Sequence, residues 1–254
     1  MPQVSVVIIT YNESANILAC ISSARRVSND IIVVDAESND DTVYKAKTAG
    51  ATIVSTCWEN YGRSRNKGAL MAQNEWILAL DADERISDHM VQIITELPLK
   101  QAGCVYGFYR KSFFVKQKIR FGTWGRDKVF RLYHRLHTRW DESPVHEKLL
   151  FLGLKKKLLP VSLIHYPVRK KDDLRKKLGN YASLSAQKYR QQQKNSNLLK
   201  RVFSPVYVFF HSYFFLMGFL DGRAGFFIAK QQAWYTKLKY QYLAHLQKNP
   251  SGAE

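Results

Sequence analysis

The run VSVVIITYNE at residues 4–13 passes from unbroken Val and Ile into Thr, Tyr, Asn and Glu. Continuous β-branched residues suit a strand covered on both faces, and the polar group after them marks where the chain leaves the core. Three similar runs follow: IIVVD at 31–35, TIVS at 52–55, and WILAL at 76–80, which leads into DADE at 81–84. Between them lie stretches of helical character. The first carries Ile17, Leu18, Ile21 and Ala24 at helical spacing, with Asn12 or Ser14 as its cap. The others span residues 40–49, ending at Gly50, and 63–72. Strict alternation of strand and helix predicts right-handed crossovers and a doubly wound α/β fold, its sheet mostly parallel with helices on both faces.

Beyond residue 100 the pattern changes to aromatic-rich, strand-like pieces at 105–114, 128–133 and 158–166. A long polar helix, dense in Lys and Gln, is expected over 172–193. Residues 202–220 then carry no formal charge and include eight Phe or Tyr.

At 254 residues, 46% hydrophobic and 24% charged, the chain can bury a sizeable core. That composition excludes a disordered, collagen-like or disulfide-stapled protein. The net charge of +18 is unevenly spread: residues 155–201 hold 14 basic and 2 acidic side chains, a local excess of +12. Such a belt calls for an anionic partner, either nucleic acid or a membrane face. No helix-turn-helix, zinc-finger or RNP-like pattern accompanies it, so nucleic acid is disfavoured. The aromatics of 202–220 beside it favour a segment lying in or on the cytoplasmic leaflet, although a core helix next to a solvated basic face has the same composition. Cys20, Cys57 and Cys104 form no Cys-x-x-Cys pair and read as reduced core thiols of a cytosolic protein, and no export signal is visible at the N-terminus.

In an open parallel sheet, ligands gather at the carboxyl ends of the strands. Those positions hold Thr10, Tyr11, Asn12 and Glu13; then Asp35, Ala36, Glu37 and Ser38; then Asp81, Ala82, Asp83 and Glu84. Turn and cap formation alone explains any one of these clusters, but less readily all three together. Asp81 and Asp83, one residue apart after a buried strand, can approach a hard divalent cation directly or through water, leaving positions open for diphosphate oxygens.

Four motifs, SVVIITYNE (5–13), VVDAESNDDT (33–42), GRSRNKG (62–68) and LALDADE (78–84), resemble in order and spacing the family 2 glycosyltransferases of the GT-A fold. ESPVHEKL (142–149), IHY (164–166) and GFLDGRAGF (218–226) are similar to its short-chain branch, which includes bacterial lipopolysaccharide core β-glucosyltransferases. The resemblance implies a catalytic domain over 1–168, with a nucleotide-sugar half (1–100) and an acceptor half (101–168). A C-terminal helical, basic and aromatic membrane-associating region would occupy 169–254.

By the same resemblance, Thr10, Tyr11 and Glu13 line the uracil and ribose pocket and Asp35 accepts hydrogen bonds from the base. Arg63, with Arg65 as a second candidate, approaches the diphosphate, where a planar cation matches phosphate geometry. Asp83 ligates Mg²⁺ or Mn²⁺, Asp81 partners ribose or a water, and His165 completes the metal shell unless it is a structural histidine. An inverting transfer needs a base for the acceptor hydroxyl; Glu147 is favoured over Asp141 and Glu142. Trp124 and Trp140 either offer apolar faces for a sugar or are buried core aromatics. The expected function is metal-dependent transfer of a hexose, glucose from UDP-glucose, to an inner-core sugar of lipopolysaccharide by a protein peripherally attached to the cytoplasmic side of the inner membrane. Transfer to a polyprenyl phosphate or another glycan is the alternative within the class. A non-catalytic membrane or nucleic-acid-binding protein is the alternative outside it.

Overall fold

The computed structural model describes residues 3–99, 103–125, 127–143, 147–151, 153–168 and 171–248. The chain divides into two compact units, Met1–Arg110 with Lys128–His165, and Lys111–Asp127 with Tyr166–Glu254. The second unit thus takes in residues 111–127, a piece assigned from the sequence to the acceptor half.

In the first unit, β1 (Val4–Thr10), α1 (Ile17–Ala24), β2 (Asp30–Asp35), α2 (Thr42–Thr48), β3 (Thr52–Ser55), α3 (Tyr61–Met71) and β4 (Trp76–Asp81) alternate as the hydrophobic pattern predicts. Then come β5 (Glu84–Ile86) and α4 (Asp88–Glu96), followed by the long strands β6 (Cys104–Phe114), β8 (Asp127–His134) and β9 (Lys155–Val168); the short β7 (Gln117–Lys118) pairs with β6. The sheet order is β3-β2-β1-β4-β8-β6-β9-β5.

The pairs β1/β2, β1/β4 and β2/β3 are parallel, whereas β4/β8, β5/β9 and β6/β7 are antiparallel. The sheet is therefore mixed rather than mostly parallel. Parallel neighbours need a crossover of a dozen or more residues, and strands joined through a crossover helix pair side by side only among β1 to β4. Helices do cover both faces. Val6 and Ile8 pack with Ile17, Ile21, Met90 and Ile94 on one side. Val7, Ile32 and Val34 pack with Ala69 and Ala72 on the other.

The expected cap of α1 is corrected. Asn16 occupies the N-cap, and its side chain makes no capping bond to the helix. Asn12 instead sits at φ 52°, its side chain accepting from the Asn39 N–H at 2.9 Å. Cys20 and Cys104 are buried as expected, but Cys57 is exposed, with its thiol 3.2 Å from Glu37.

The second unit holds α5 (Lys171–Gln191), α6 (Leu198–Phe210) and α7 (Gly222–Lys248) around a small core of Phe114, Ile119, Val168, Leu174, Ala224 and Ile228. Its GFLDGRAGF motif has a packing role. Asp221 is buried and accepts the backbone N–H groups of Arg120 at 3.0 Å and Phe121 at 2.8 Å. Gly225 lies so close to Gly218 that a Cβ would fall 1.9 Å from the Gly218 carbonyl oxygen. Gly222, at φ 60°, permits the turn into α7.

Candidate active site

Register brings the strand ends together. Thr10 pairs with Asp35, and Ile9 with Asp81, so the last residues of β1, β2 and β4 share one edge of the parallel sheet. Glu84 and His165 are partners across β5 and β9, which carries His165 beside the Asp81–Glu84 turn.

At that edge lies a buried ion network. The Arg65 guanidinium, its side chain 2% exposed, bonds Asp81 at 2.5 Å and also Glu147. Arg131 binds the other Asp81 oxygen at 2.8 Å and lies 3.6 Å from Glu84, which Arg110 approaches at 3.4 Å. Both Arg65 and Arg131 stand over the Trp140 ring, 4.6 and 5.5 Å from its centroid. Burial pushes the Asp81 carboxyl up, but the Arg131 and Arg65 guanidiniums outweigh it and hold the carboxyl well below the usual carboxylate range. Burial also lowers the Arg131 guanidinium, and Asp81, Glu84 and Glu147 more than offset it, so the cation stays charged. Burial pushes the Tyr133 phenol up to about 12 against the opposing pull of the two arginines, so it remains neutral.

Helix α3 supplies one side of this network through a single face. Asn60 caps the helix by accepting from the Arg63 N–H at 2.8 Å. Gly62 lets the helix approach so closely that a Cβ there would fall 1.8 Å from the Asp141 carbonyl oxygen. Asn66 clamps Trp140, donating to its carbonyl and accepting its N–H, each at 3.0 Å. Residues 62, 65, 66 and 69 share one helical face, so GRSRNKG encodes a close-packed contact that carries Arg65 inward.

The network separates the two aspartates of the DAD run. Both Asp81 oxygens are held by arginines, whereas buried Asp83 lies 3.5 Å from His165 Nε2. That spacing is close to the ~3 Å between adjacent ligands of an octahedral cation bound at ~2.1 Å. Asp83 and His165 therefore fit a Mg²⁺- or Mn²⁺-type ion as two of its ligands, and Asp81 does not. Among the described residues no three His, Cys, Asp or Glu come together as a metal cage.

Other expected residues are placed as follows. Thr10 is buried, and its hydroxyl has no hydrogen-bond partner among the described residues. Tyr11 is exposed. Glu13 accepts from Asn16 Nδ2 at 2.6 Å, and its backbone N–H donates to Thr42. Asp35 is buried and accepts both the N–H and the hydroxyl of Ser38, at 2.8 and 2.6 Å. Arg63 lies apart from the network, half exposed and paired with Glu59. Asp141 accepts from the Ser143 and Lys148 N–H groups, and Glu142 is exposed. His146, in the motif that suggested Glu147, lies outside the described residues. Trp124 belongs to the second unit, where it packs on Phe114 with ring centroids 6.4 Å apart.

Three residues of the network had not been anticipated: Arg110, Arg131 and Glu84 as a buried acceptor. The signal was present at Arg131, an arginine between Phe130 and Leu132 in a strand, which needs a carboxylate partner if the strand is buried.

Strand-end polar groups on a parallel half-sheet, with a carboxylate–imidazole pair beside them, define an α/β protein of nucleotide-binding type. Among solved structures, the chain is similar to a mannosyltransferase from Pyrobaculum calidifontis, determined with GDP-mannose and Mn²⁺, at TM-score 0.53 and 13% identity over 100% of this chain and 88% of that one. The fold is accordingly GT-A-like. The family model for glycosyl transferase family 2 matches residues 5–152, more than half of the chain, and the protein belongs to that family. An uncharacterized glycosyltransferase of Rickettsia prowazekii (strain Madrid E) is 29% identical over 238 residues, covering 89% of this chain and 81% of its own. Glycosyltransferase SunS, derived from prophage SPbeta of Bacillus subtilis (strain 168), is 39% identical over 89 residues, covering 34% of this chain and 21% of its own.

Proposed function

We propose that the protein is an inverting glycosyltransferase that moves a hexose, glucose from UDP-glucose, onto an inner-core sugar of lipopolysaccharide at the cytoplasmic face of the inner membrane. The observation that carries the proposal is the convergence of Glu147, Arg65 and Asp81 in one buried network next to the Asp83–His165 pair. The GDP-mannose and Mn²⁺ of the Pyrobaculum calidifontis neighbour support a nucleotide-sugar donor and a divalent cation.

On this reading Thr10 offers its unpartnered hydroxyl to the nucleoside, with Tyr11 and Glu13 around it, and Asp35 borders the base. Arg65 and Arg131 turn positive charge toward the diphosphate. A divalent ion held by Asp83 and His165 would neutralise charge building on the departing diphosphate. Glu147 takes the proton as the acceptor oxygen attacks the anomeric carbon from the face opposite the diphosphate. The new C–O bond forms as the old one breaks, and UDP leaves with the electron pair. Arg63, exposed and paired with Glu59, has at most an outer electrostatic role.

The substitutions Asp83→Ala and Glu147→Gln test these roles. Asp83→Ala is expected to abolish turnover in a metal-supplied assay. Glu147→Gln is expected to lower kcat by about 100-fold or more with UDP affinity nearly intact, the typical contribution of a general base. Full activity in either variant contradicts its role. The Glu147–Arg65 ion pair favours one second reading, because it engages the carboxylate that would have to reach the acceptor hydroxyl. A phosphate acceptor such as polyprenyl phosphate needs no protein base, and an indifferent Glu147→Gln variant would favour it.

A further inference from the structure

We infer that the exposed face of α6 and the turn after it dock onto an anionic phospholipid surface, with the helix lying in the plane of the headgroups. The inference rests on the reading of a membrane-borne acceptor for its purpose, but its evidence is independent of the catalytic site.

Leu199, Val202, Phe203, Val206, Tyr207 and Phe210 are each 49–64% exposed and recur at intervals of three and four, so they form one apolar stripe along α6. Phe214 and Phe215 extend it. The opposite side is held by protein. Phe209 and Tyr213 meet Phe226 of α7, with ring centroids 5.7 and 5.6 Å apart, and Ser212 is buried against Gly122 and Gly218. A helix crossing a bilayer by itself would need apolar surface all round, whereas an in-plane helix needs only one such face. Pro205 lies inside α6, where it removes one backbone donor. No single helix among the described residues is long and apolar enough to cross a membrane, and the bent pair that passes together turns by 72°.

Charge selects the occupant. Residues 174–220 contain eight Lys or Arg and no Asp or Glu. Asp221, the next acid, is buried and occupied by the Arg120 and Phe121 N–H groups. Lys194, Lys200, Arg223 and Lys230 are exposed on or beside α6 and α7. An aromatic stripe in a segment, 174–220, that carries cations and no acid complements phosphate headgroups, and it repels a second copy of itself.

The test is co-sedimentation of the full chain with phosphatidylcholine vesicles and with vesicles enriched in phosphatidylglycerol. Binding is expected to be at least about tenfold stronger on the anionic vesicles and to weaken with salt, each engaged cation contributing about fivefold. The triple variant Phe203→Ser/Tyr207→Ser/Phe210→Ser should lose about tenfold or more of this binding with an unchanged Tm. Lys200→Glu/Arg201→Glu should reduce only the preference for anionic lipid. Absent binding, equal binding by the triple variant, or a dimer that the triple variant abolishes would overturn the inference. Stabilisation by UDP and Mn²⁺ without vesicle binding sinks this inference alone, and vesicle binding without a UDP response sinks only the donor reading.

Discussion

Arg65 has to satisfy two carboxylates from a position with almost no water, and it does so by pairing Asp81 with one arm and Glu147 with the other. Arg131 completes the arrangement at Asp81. Removing one partner of a buried pair leaves an uncompensated charge, so Arg131→Met is expected to cost about 3–5 kcal/mol in urea unfolding. A loss below about 1 kcal/mol would mean that the network is solvated. Asp81 also sets an acid limit. Its folded carboxyl lies below the unfolded value of about 3.9, so its contribution is fully present above that pH and declines as pH falls through the folded value. Below about pH 5 the urea midpoint of Asp81→Asn should fall less steeply than that of the wild type; parallel curves would contradict the assignment. At this scale the sequence divided the two acids by resemblance alone, and the arginines that hold Asp81 were not legible in it. The spacing of Asp81 and Asp83 says nothing of arginines arriving from α3 and β8, which are distant in the chain.

Helix α3 shows how an element turns a motif into geometry. Its residues read from the sequence as a helix start with phosphate-directed arginines, and the reading favoured Arg63. Helical periodicity decides otherwise: Gly62, Arg65, Asn66 and Ala69 make the inward face, and Arg63 points toward Glu59. Gly62→Ala tests that contact. Alanine gains about 1 kcal/mol of helix propensity, but its Cβ would meet backbone at 1.8 Å, which no rotamer change relieves. A net loss of about 2 kcal/mol in thermal unfolding is expected, within the usual cost of overpacking; a neutral or stabilised variant would mean that α3 does not press on Asp141. Helix α7 falls in the region expected to be helical, but its bounds were not legible, because its 27 residues mix Lys, Gln and Tyr without a strong apolar stripe. Its early turns are instead defined by Gly225 against Gly218 and by the bonds of Asp221, contacts that no periodicity reveals.

For the whole molecule, the alternating half was legible because each strand and each crossover helix carries its own hydrophobic period. The antiparallel half was less so: long strands such as β9 take their partners from far along the chain, and local pattern does not name them. The same limit hid the position of residues 111–127 in the second unit. The charge, in contrast, was legible from the start. Of the excess +18, +12 falls in residues 155–201, mostly within the second unit. The central claim is that those strand ends bind and cleave a nucleotide-sugar, and release of the nucleotide from a panel of UDP- and GDP-hexoses with Mg²⁺ or Mn²⁺ tests it most directly. Metal-dependent UDP release, fastest from UDP-glucose and lost in Asp83→Ala, is predicted; no release from any donor, or release unaffected by Asp83→Ala, would contradict it.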